Sequence, residues 1–308
     1  MQRKWLIVSG NTPKSSQGTL GILSKKCFML IGMSNQTVNQ AVSSGVKVSP
    51  HRFNRFEIKY LIPEQDVPAL REQLATRMST DPLSPPGGYR VESLYFDSAD
   101  LRCYTEKIEG LKFRRKLRIR TYGDGVLTPE STVSVEIKQR VNKVTQKRRL
   151  DLPFIYALAL GDSTGAAVGE QVDVEKLLEI SPENQHALIH EMASFAKNYR
   201  LRPIATTKYH REAFVGADAE ASSRVTIDHG VSGRDRDFLL GQDLEDRPTV
   251  AQGLAVVEIK CDERVPFWLT DMTAQLEMSV IRMSKYCETI EAFHNRPASA
   301  FGAVDPIF

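Results

Sequence analysis

Cysteine is scarce in this chain of 308 residues: Cys27, Cys103, Cys261 and Cys287 stand far apart, with no CxxC pair. That spacing excludes a zinc ribbon and a disulfide-stapled scaffold, and it fits a reducing cytoplasm. Long apolar runs are missing as well. No stretch approaches the roughly 20 residues that a membrane-crossing helix needs. The opening MQRKWLIVSG stops being apolar at Ser9, too early for the core of an export signal. A cytoplasmic chain with no membrane span is expected. Charge of one sign is not in surplus either, because 41 Lys and Arg face 38 Asp and Glu for a net +3. A protein coated for nucleic acid carries a larger excess. Few aromatics interleave with the basic segments, so platforms for stacking bases are lacking and no nucleic-acid partner is expected. There is no HExxH, and His186 and His190, four apart on a helical pattern, read as a surface pair rather than zinc ligands. The GxG at Gly123–Gly125 lacks the strand–loop–helix setting of a nucleotide fingerprint and reads as a hairpin turn. No internal repeat is visible.

Residues 1–50 are rich in Ser, Gly, Asn, Gln and Thr without periodicity and read as a disordered N-terminal extension, in which Met29 and Met33 offer alternative starts. Organised sequence runs over 51–295, and 296–308 reads as a loose C-terminal tail. Within those limits eight strand-like segments occur, at 54–61, 89–97, 112–122, 132–139, 143–152, 204–214, 223–230 and 253–261. Helical patterns interrupt them. Val67, Leu70, Leu74 and Met78 share a face over 64–78. A helix opens at Ser181-Pro182-Glu183 and carries Leu188, Met192, Phe195 and Tyr199. The stripe Leu269, Met272, Leu276 and Val280 predicts a helix over 266–280, and a last helix follows Ser284. Successive strands with short links imply antiparallel pairing, hence an α+β fold. Trp268 reads as a core anchor, and Asp97 in YFDS as a turn or cap residue.

The chemistry lies in the alternation. Side chains two apart on a strand share a face. In KFRRKLRIR this aligns Lys112, Arg114, Lys116, Arg118 and Arg120, with Phe113, Leu117 and Ile119 opposite. The same holds for Arg55, Glu57 and Lys59; for Ser134, Glu136, Lys138 and Arg140; for Val256, Glu258 and Lys260; for Tyr209 and Arg211; and for Arg224, Thr226 and Asp228. Like charges in register repel, so an anion or water must offset them. For one strand, a solvated outer face explains this. For a set in which ExK recurs three times, a closed barrel with a charged lumen is favoured. Guanidinium forks and ammonium groups suit phosphate oxygens, and a few carboxylates suit a divalent metal held against them.

These segments resemble a known family. RFEIKYLI, VESLYFDS, GLKFRRKLRIRTYG, VEIKQR followed by QKRR, KYHREAF, RVTID, VVEIK and RMSKYCE occur in the order seen in the VTC-type polyphosphate polymerase domain of the triphosphate tunnel (CYTH-like) metalloenzymes. The resemblance runs from about Arg55 to Phe293. It implies an eight-stranded antiparallel β-barrel, a triphosphate tunnel, with flanking helices over 51–295. It implies transfer of the γ-phosphoryl of ATP to a growing inorganic polyphosphate chain, with Mn²⁺ or Mg²⁺. The residues it points to for catalysis are Lys59, Arg118, Arg120, Lys138, Arg211 and Lys285. Phosphate binding falls to Lys147 (or Arg149 in the alternative register), Tyr209, Arg224 and Ser284, and Glu258 holds the metal. Two positions depart from the family: Arg140 replaces a histidine and Arg282 a lysine, each keeping a cation. Ser284-Lys285 opens the last helix, where free N–H groups suit a phosphate. The family's regulatory SPX module and membrane helices do not occur in this sequence.

The first strand separates relatives. Hydrolytic members open with ExExK, whose carboxylates help hold metal, whereas this chain reads RxExK with Arg55 first. The exchange of carboxylate for cation favours polymerase over triphosphatase. A tunnel triphosphatase and a non-catalytic polyphosphate or RNA binder remain the alternatives.

Overall fold

The computed structural model describes residues 47–48, 55–142, 144–165, 173–217, 222–262 and 264–294. Most of the expected extension and the whole of the 296–308 tail lie outside them. The strands are β1 (Lys47–Val48), β2 (Arg55–Pro63), β3 (Met78–Thr80), β4 (Tyr89–Asp97), β5 (Phe113–Tyr122), β6 (Thr132–Val141), β7 (Val144–Pro153), β8 (Arg202–Gly216), β9 (Arg224–Arg234), β10 (Arg247–Pro248), β11 (Leu254–Asp262) and β12 (Ser279–Ile281). The helices are α1 (Val67–Ala75), α2 (Arg102–Ile108), α3 (Phe154–Gly161), α4 (Val174–Glu179), α5 (Glu183–Tyr199), α6 (Phe267–Gln275) and α7 (Lys285–His294).

All twelve strands join one antiparallel sheet, in the order β1-β7-β6-β5-β4-β8-β9-β11-β2-β12, with β3 on β8 and β10 on β9. Its eight long strands are the eight segments expected from the alternation. The expected closure into a barrel is corrected. No ladder joins β7 to β2 among the described residues. Both edges have found other partners: β1 pairs with Arg148 and Arg149 of β7, and β12 pairs with Lys59, Tyr60 and Leu61 of β2. A backbone edge already hydrogen-bonded to one strand has no groups left there for another.

One face of the sheet is apolar and lies under helices. Leu94, Phe96, Leu117, Ile119, Ile137 and Leu150 pack beneath α3 and α5, through Leu158, Leu188, Met192 and Phe195. Ile62, Val225, Ile227, Val257 and Ile259 pack beneath α1 and α6, through Leu70, Leu74, Leu269 and Met272. Each such side chain contributes roughly 1.5–3 kcal/mol on burial. The apolar faces therefore fix which side is outside, and the charged sets are left on the inner face. Met78 and Val280 were expected on helical stripes. Met78 lies buried in β3, while Val280 is an exposed residue of β12. Trp268 is partly buried against the second cluster.

The inner face is not empty. Helix α7 packs on it through Tyr286, Cys287 and Ile290 against Tyr95, Ile204 and Ala205. The approach is close enough that a Cβ at Gly233 would meet Thr289 Oγ1 at 2.7 Å and the carbonyl oxygen of Thr206 at 2.4 Å. Glycine is required there for space, not for its backbone angles.

Candidate functional site

Register confirms that the charged residues share one face. Directly opposed pairs include Glu258 with Lys59, Lys260 with Glu57, Arg118 with Glu136, Lys138 with Lys147, and Arg211 with Asp228. Two clusters form on it.

The first centres on Glu136, whose side chain is 1% exposed. Arg118 donates to its Oε2 from Nε at 2.8 Å and from Nη2 at 2.6 Å. Lys147 Nζ stands 2.5 Å from Oε1. Burial alone would raise the Glu136 pKa, but Arg118, Arg120 and Lys147 outweigh it and hold the carboxyl far below its usual range. Arg118 also donates to the Tyr95 hydroxyl at 2.9 Å, and Arg120 donates to Ser93 Oγ at 3.0 Å and to the Tyr209 hydroxyl at 3.1 Å. Burial would raise Tyr95 too, yet Arg118 and Arg120 bring it down to about 8. Arg149 shares this face with Lys147, two residues away, and binds Asp151 at 2.7 Å.

The second centres on Asp228 and Glu258. Arg211 grips Asp228 with both arms, at 2.6 and 2.7 Å. Lys285 Nζ, brought in by α7, lies 2.6 Å from Asp228 Oδ2 and 3.1 Å from Glu258 Oε1. Lys59 reaches the same Oε1 at 3.1 Å, and Lys260 reaches Oε2 at 2.5 Å. Burial opposes ionisation of Glu258, but Lys260, Lys285, Lys59 and Arg211 keep its pKa well below the ordinary value. The same contest leaves Asp228 lowered, with Lys285 and Arg211 prevailing over burial. Burial would lower Lys285, but Asp228 and Glu258 raise it.

The expected residues distribute as follows. Lys59, Arg211, Lys285 and Glu258 meet in the second cluster, and Arg118, Arg120, Lys147 and Tyr209 belong to or border the first. Lys138 stands opposite Lys147 on the same face. Arg224 faces Lys260 across the ladder but is held by Asp81, at 3.1 and 2.9 Å. Ser284 Oγ accepts from Lys116 Nζ at 3.2 Å. Arg140 sits opposite Arg114 at the far end of β5 and β6. Arg282 is exposed, between β12 and α7. Arg55 pairs with Asp262 through the backbone, and its side chain lies outside the described residues. Three participants had been given no role from the sequence: Lys260 and Asp228, visible as face-sharing residues, and Tyr95, in the YFD segment. Their signal was present in the alternation, but the alternation does not say who pairs with whom.

Asp97 is a cap. Its Oδ1 accepts from the Ser98 and Cys103 N–H groups at 2.7 and 2.8 Å. Its Oδ2 accepts from the Tyr104 N–H at 3.0 Å and from the Tyr286 hydroxyl, tying α2 to α7. His186 is half-buried, its Nε2 bonding the carbonyls of Leu178 and Ser181, while His190 is exposed as expected of a surface pair.

Among the described residues no three His, Cys, Asp or Glu side chains converge on one point. Glu57 and Glu258 lie on adjacent strands, near enough for the charge of Glu258 to act on Glu57. A hard divalent ion commonly takes one or two carboxylates and completes its shell with phosphate oxygens and water. The donor set fits an ion that arrives with phosphate, not an all-protein cage.

The model described as VTC domain matches residues 54–294. Vacuolar transporter chaperone complex subunit 4 of Trypanosoma cruzi (strain CL Brener) is 26% identical over 275 residues, covering 79% of this chain and 34% of that protein. The subunit of the same name from Trypanosoma brucei brucei (strain 927/4 GUTat10.1) is also 26% identical, covering 79% and 35%. The chain thus spans about a third of the length of these relatives. Among solved structures, a putative adenylate cyclase from Bacillus halodurans aligns with a TM-score of 0.43 at 14% identity, over 81% of this chain and 99% of the other. The family match takes in every long strand of the cationic face and the helix that brings Lys285 to it, and on that ground the chain belongs to the VTC domain family.

Proposed function

We propose that residues 51–295 form a polyphosphate polymerase unit that moves the γ-phosphoryl of ATP onto the end of an inorganic polyphosphate chain. A terminal phosphate oxygen of the chain attacks the γ-phosphorus, the bond to the β-phosphate oxygen breaks, and ADP leaves with the electron pair. The observation that carries this reading is an inner face on which cations outnumber carboxylates around each centre. Glu136 is gripped by Arg118 and Lys147, and Glu258 is surrounded by Lys59, Lys260, Lys285 and, at 3.7 Å, Arg211.

Phosphoryl transfer asks a protein for in-line positioning and relief of charge on the transferring group, with little covalent help. Preorganised cations in a water-poor site supply both. In this reading the carboxylates act as internal stand-ins that keep the cations in place until phosphate oxygens take over their contacts. Arg118, Arg120, Lys138 and Lys147 would bind one stretch of phosphate, and Lys59, Arg211 and Lys285 another, with Arg140, Tyr209, Arg224, Arg282 and Ser284 as further contacts. Glu258, with Glu57, would hold Mn²⁺ or Mg²⁺, which when bound neutralises charge on phosphate oxygens. A reducing compartment such as the cytoplasm suits the few, widely spaced cysteines of this chain.

The test is incubation of the purified protein with ATP and Mn²⁺, resolving polymer on a gel while ADP and Pi are assayed separately. Polymer with matching ADP supports the polymerase. Release of Pi alone refutes it in favour of a tunnel triphosphatase, and binding without turnover refutes both. Arg55→Glu should raise the ratio of Pi released to phosphate incorporated.

A further inference from the structure

Ion pairing is uneven across the inner face. Toward one end of β5 and β6 the cations lose their carboxylate partners. Arg114 stands directly opposite Arg140, and the next pair on the same face is Lys116 opposite Lys138. Consecutive like-charge pairs across a ladder are destabilising. None of these four takes part in an ion pair among the described residues. Arg114 donates to the Leu111 carbonyl at 2.6 Å and Arg140 to the Asn142 carbonyl at 2.9 Å, while Lys138 feels the carboxylate of Glu57. Lys116 donates to Ser284 Oγ at 3.2 Å and Cys287 Sγ at 3.5 Å. Lys107, in the last turn of α2, which packs on β5, joins the group. Burial lowers its pKa, and Lys116 and Arg114 lower it further. Arg114 is lowered by burial and by Arg140. Glu288, a carboxylate on which Lys107 acts, is itself pushed up to about 7 by burial and Glu291.

Arg114 lies four residues from Arg118 along β5, about 14 Å at roughly 3.4 Å per residue. That exceeds the span of three linked phosphates. A triphosphate held at Arg118 and Arg120 leaves Arg114 unserved, and an added anion would relieve the repulsion between Arg114 and Arg140.

We propose that Lys107, Arg114, Lys116 and Arg140 form a second anion site, a rim that takes the more distant phosphates of a linear polyphosphate chain and marks the mouth by which that chain leaves the inner face. The identity of the ligand rests on the polymerase reading. The rim itself rests on cations that make no ion pair among the described residues, the outermost of which on β5, Arg114, is beyond the reach of a triphosphate held at Arg118 and Arg120.

The experiment compares wild type with Lys107→Gln/Arg114→Gln, titrating each with inorganic tripolyphosphate and with long-chain polyphosphate over a range of salt. Wild type should bind the long chain more tightly than the short one. The variant should lose about tenfold or more of its long-chain affinity, as expected for one or two charge-assisted contacts, and show a flatter salt dependence. Its tripolyphosphate affinity should stay within about twofold, since neither residue lies in the Glu136 or Glu258 clusters. Equal loss for both ligands, or loss for neither, overturns the rim. So does single-stranded RNA bound as tightly as polyphosphate and weakened equally by the substitutions. If the double variant melts early, Arg114→Gln alone carries the same comparison. Wild type that prefers long chains but makes no polymer from ATP keeps the rim and discards the polymerase. Wild type that makes polymer without preferring long chains discards the rim alone.

Discussion

Arg118→Ala tests whether a cation of the inner face serves phosphate or merely neutralises its neighbour. Glu136 is 1% exposed and holds Arg118 by two donors. Removing one partner of a buried pair costs about 3–5 kcal/mol, because the other charge is stranded. Lys147 remains 2.5 Å from the second oxygen, and Arg120 and Lys138 are relieved of a like charge, so the lower end, about 3 kcal/mol, is expected. A lost charge-assisted contact to phosphate should weaken tripolyphosphate binding by about 2 kcal/mol, or about 30-fold. The cycle is closed with Glu136→Gln and the double variant, following urea unfolding and calorimetric binding. The double variant should recover most of the lost stability, since no carboxylate is stranded. It should still bind tripolyphosphate at least about tenfold more weakly than Glu136→Gln alone. Equal binding by those two proteins would refute the reasoning and reduce Arg118 to the counter-ion of Glu136.

Glu258→Gln should abolish divalent-dependent activity yet keep or raise polyphosphate affinity, because Lys59, Lys260 and Lys285 lose their common anion. Full activity with Mn²⁺ would move the metal to Glu57 or Glu136. Tripolyphosphate affinity should fall as pH rises through about 8. Lys147, lowered to about 8 by burial against the opposing pull of Glu136, sheds its charge there, and Tyr95 becomes an anion beside Arg118 over the same range. Tyr95→Phe should shallow that decline, and affinity unchanged between about pH 7 and 9 would count against both assignments. Asp97→Ala removes the acceptor shared by α2 and Tyr286, so a loss of at least about 2 kcal/mol in unfolding free energy is expected. Because Tyr286 adjoins Lys285, tripolyphosphate binding should weaken as well; unchanged stability would show that α7 is held by its apolar contacts alone.

The strands were legible because alternation is local. A run such as KFRRKLRIR states its own two faces, and the buried Leu117 and Ile119 show which one the helices cover. Helices α1 and α5 were legible for the same reason, through stripes that recur every three or four residues. Helix α3, FIYALALG, is apolar nearly all round and shows no stripe, and strands of two or three residues such as β3, β10 and β12 are too short for any period. Closure was misjudged because it depends on which segments reach the edges of β2 and β7, a competition that no run of consecutive residues records. Apart from Lys260, the cations that meet in the two clusters were also named by the sequence, but their partners were not. Lys285 meets Asp228 and Glu258 only because α7 folds back onto the inner face, and Arg224 meets Asp81 across 143 positions of chain. The sequence by itself determined which residues carry charge and which face each one takes, since both follow from side-chain type and the geometry of an extended backbone. Only the tertiary structure decided which charges are neutralised and which, like Arg114 and Arg140, are left facing each other, because electrostatic energy depends on separation in space and not along the chain.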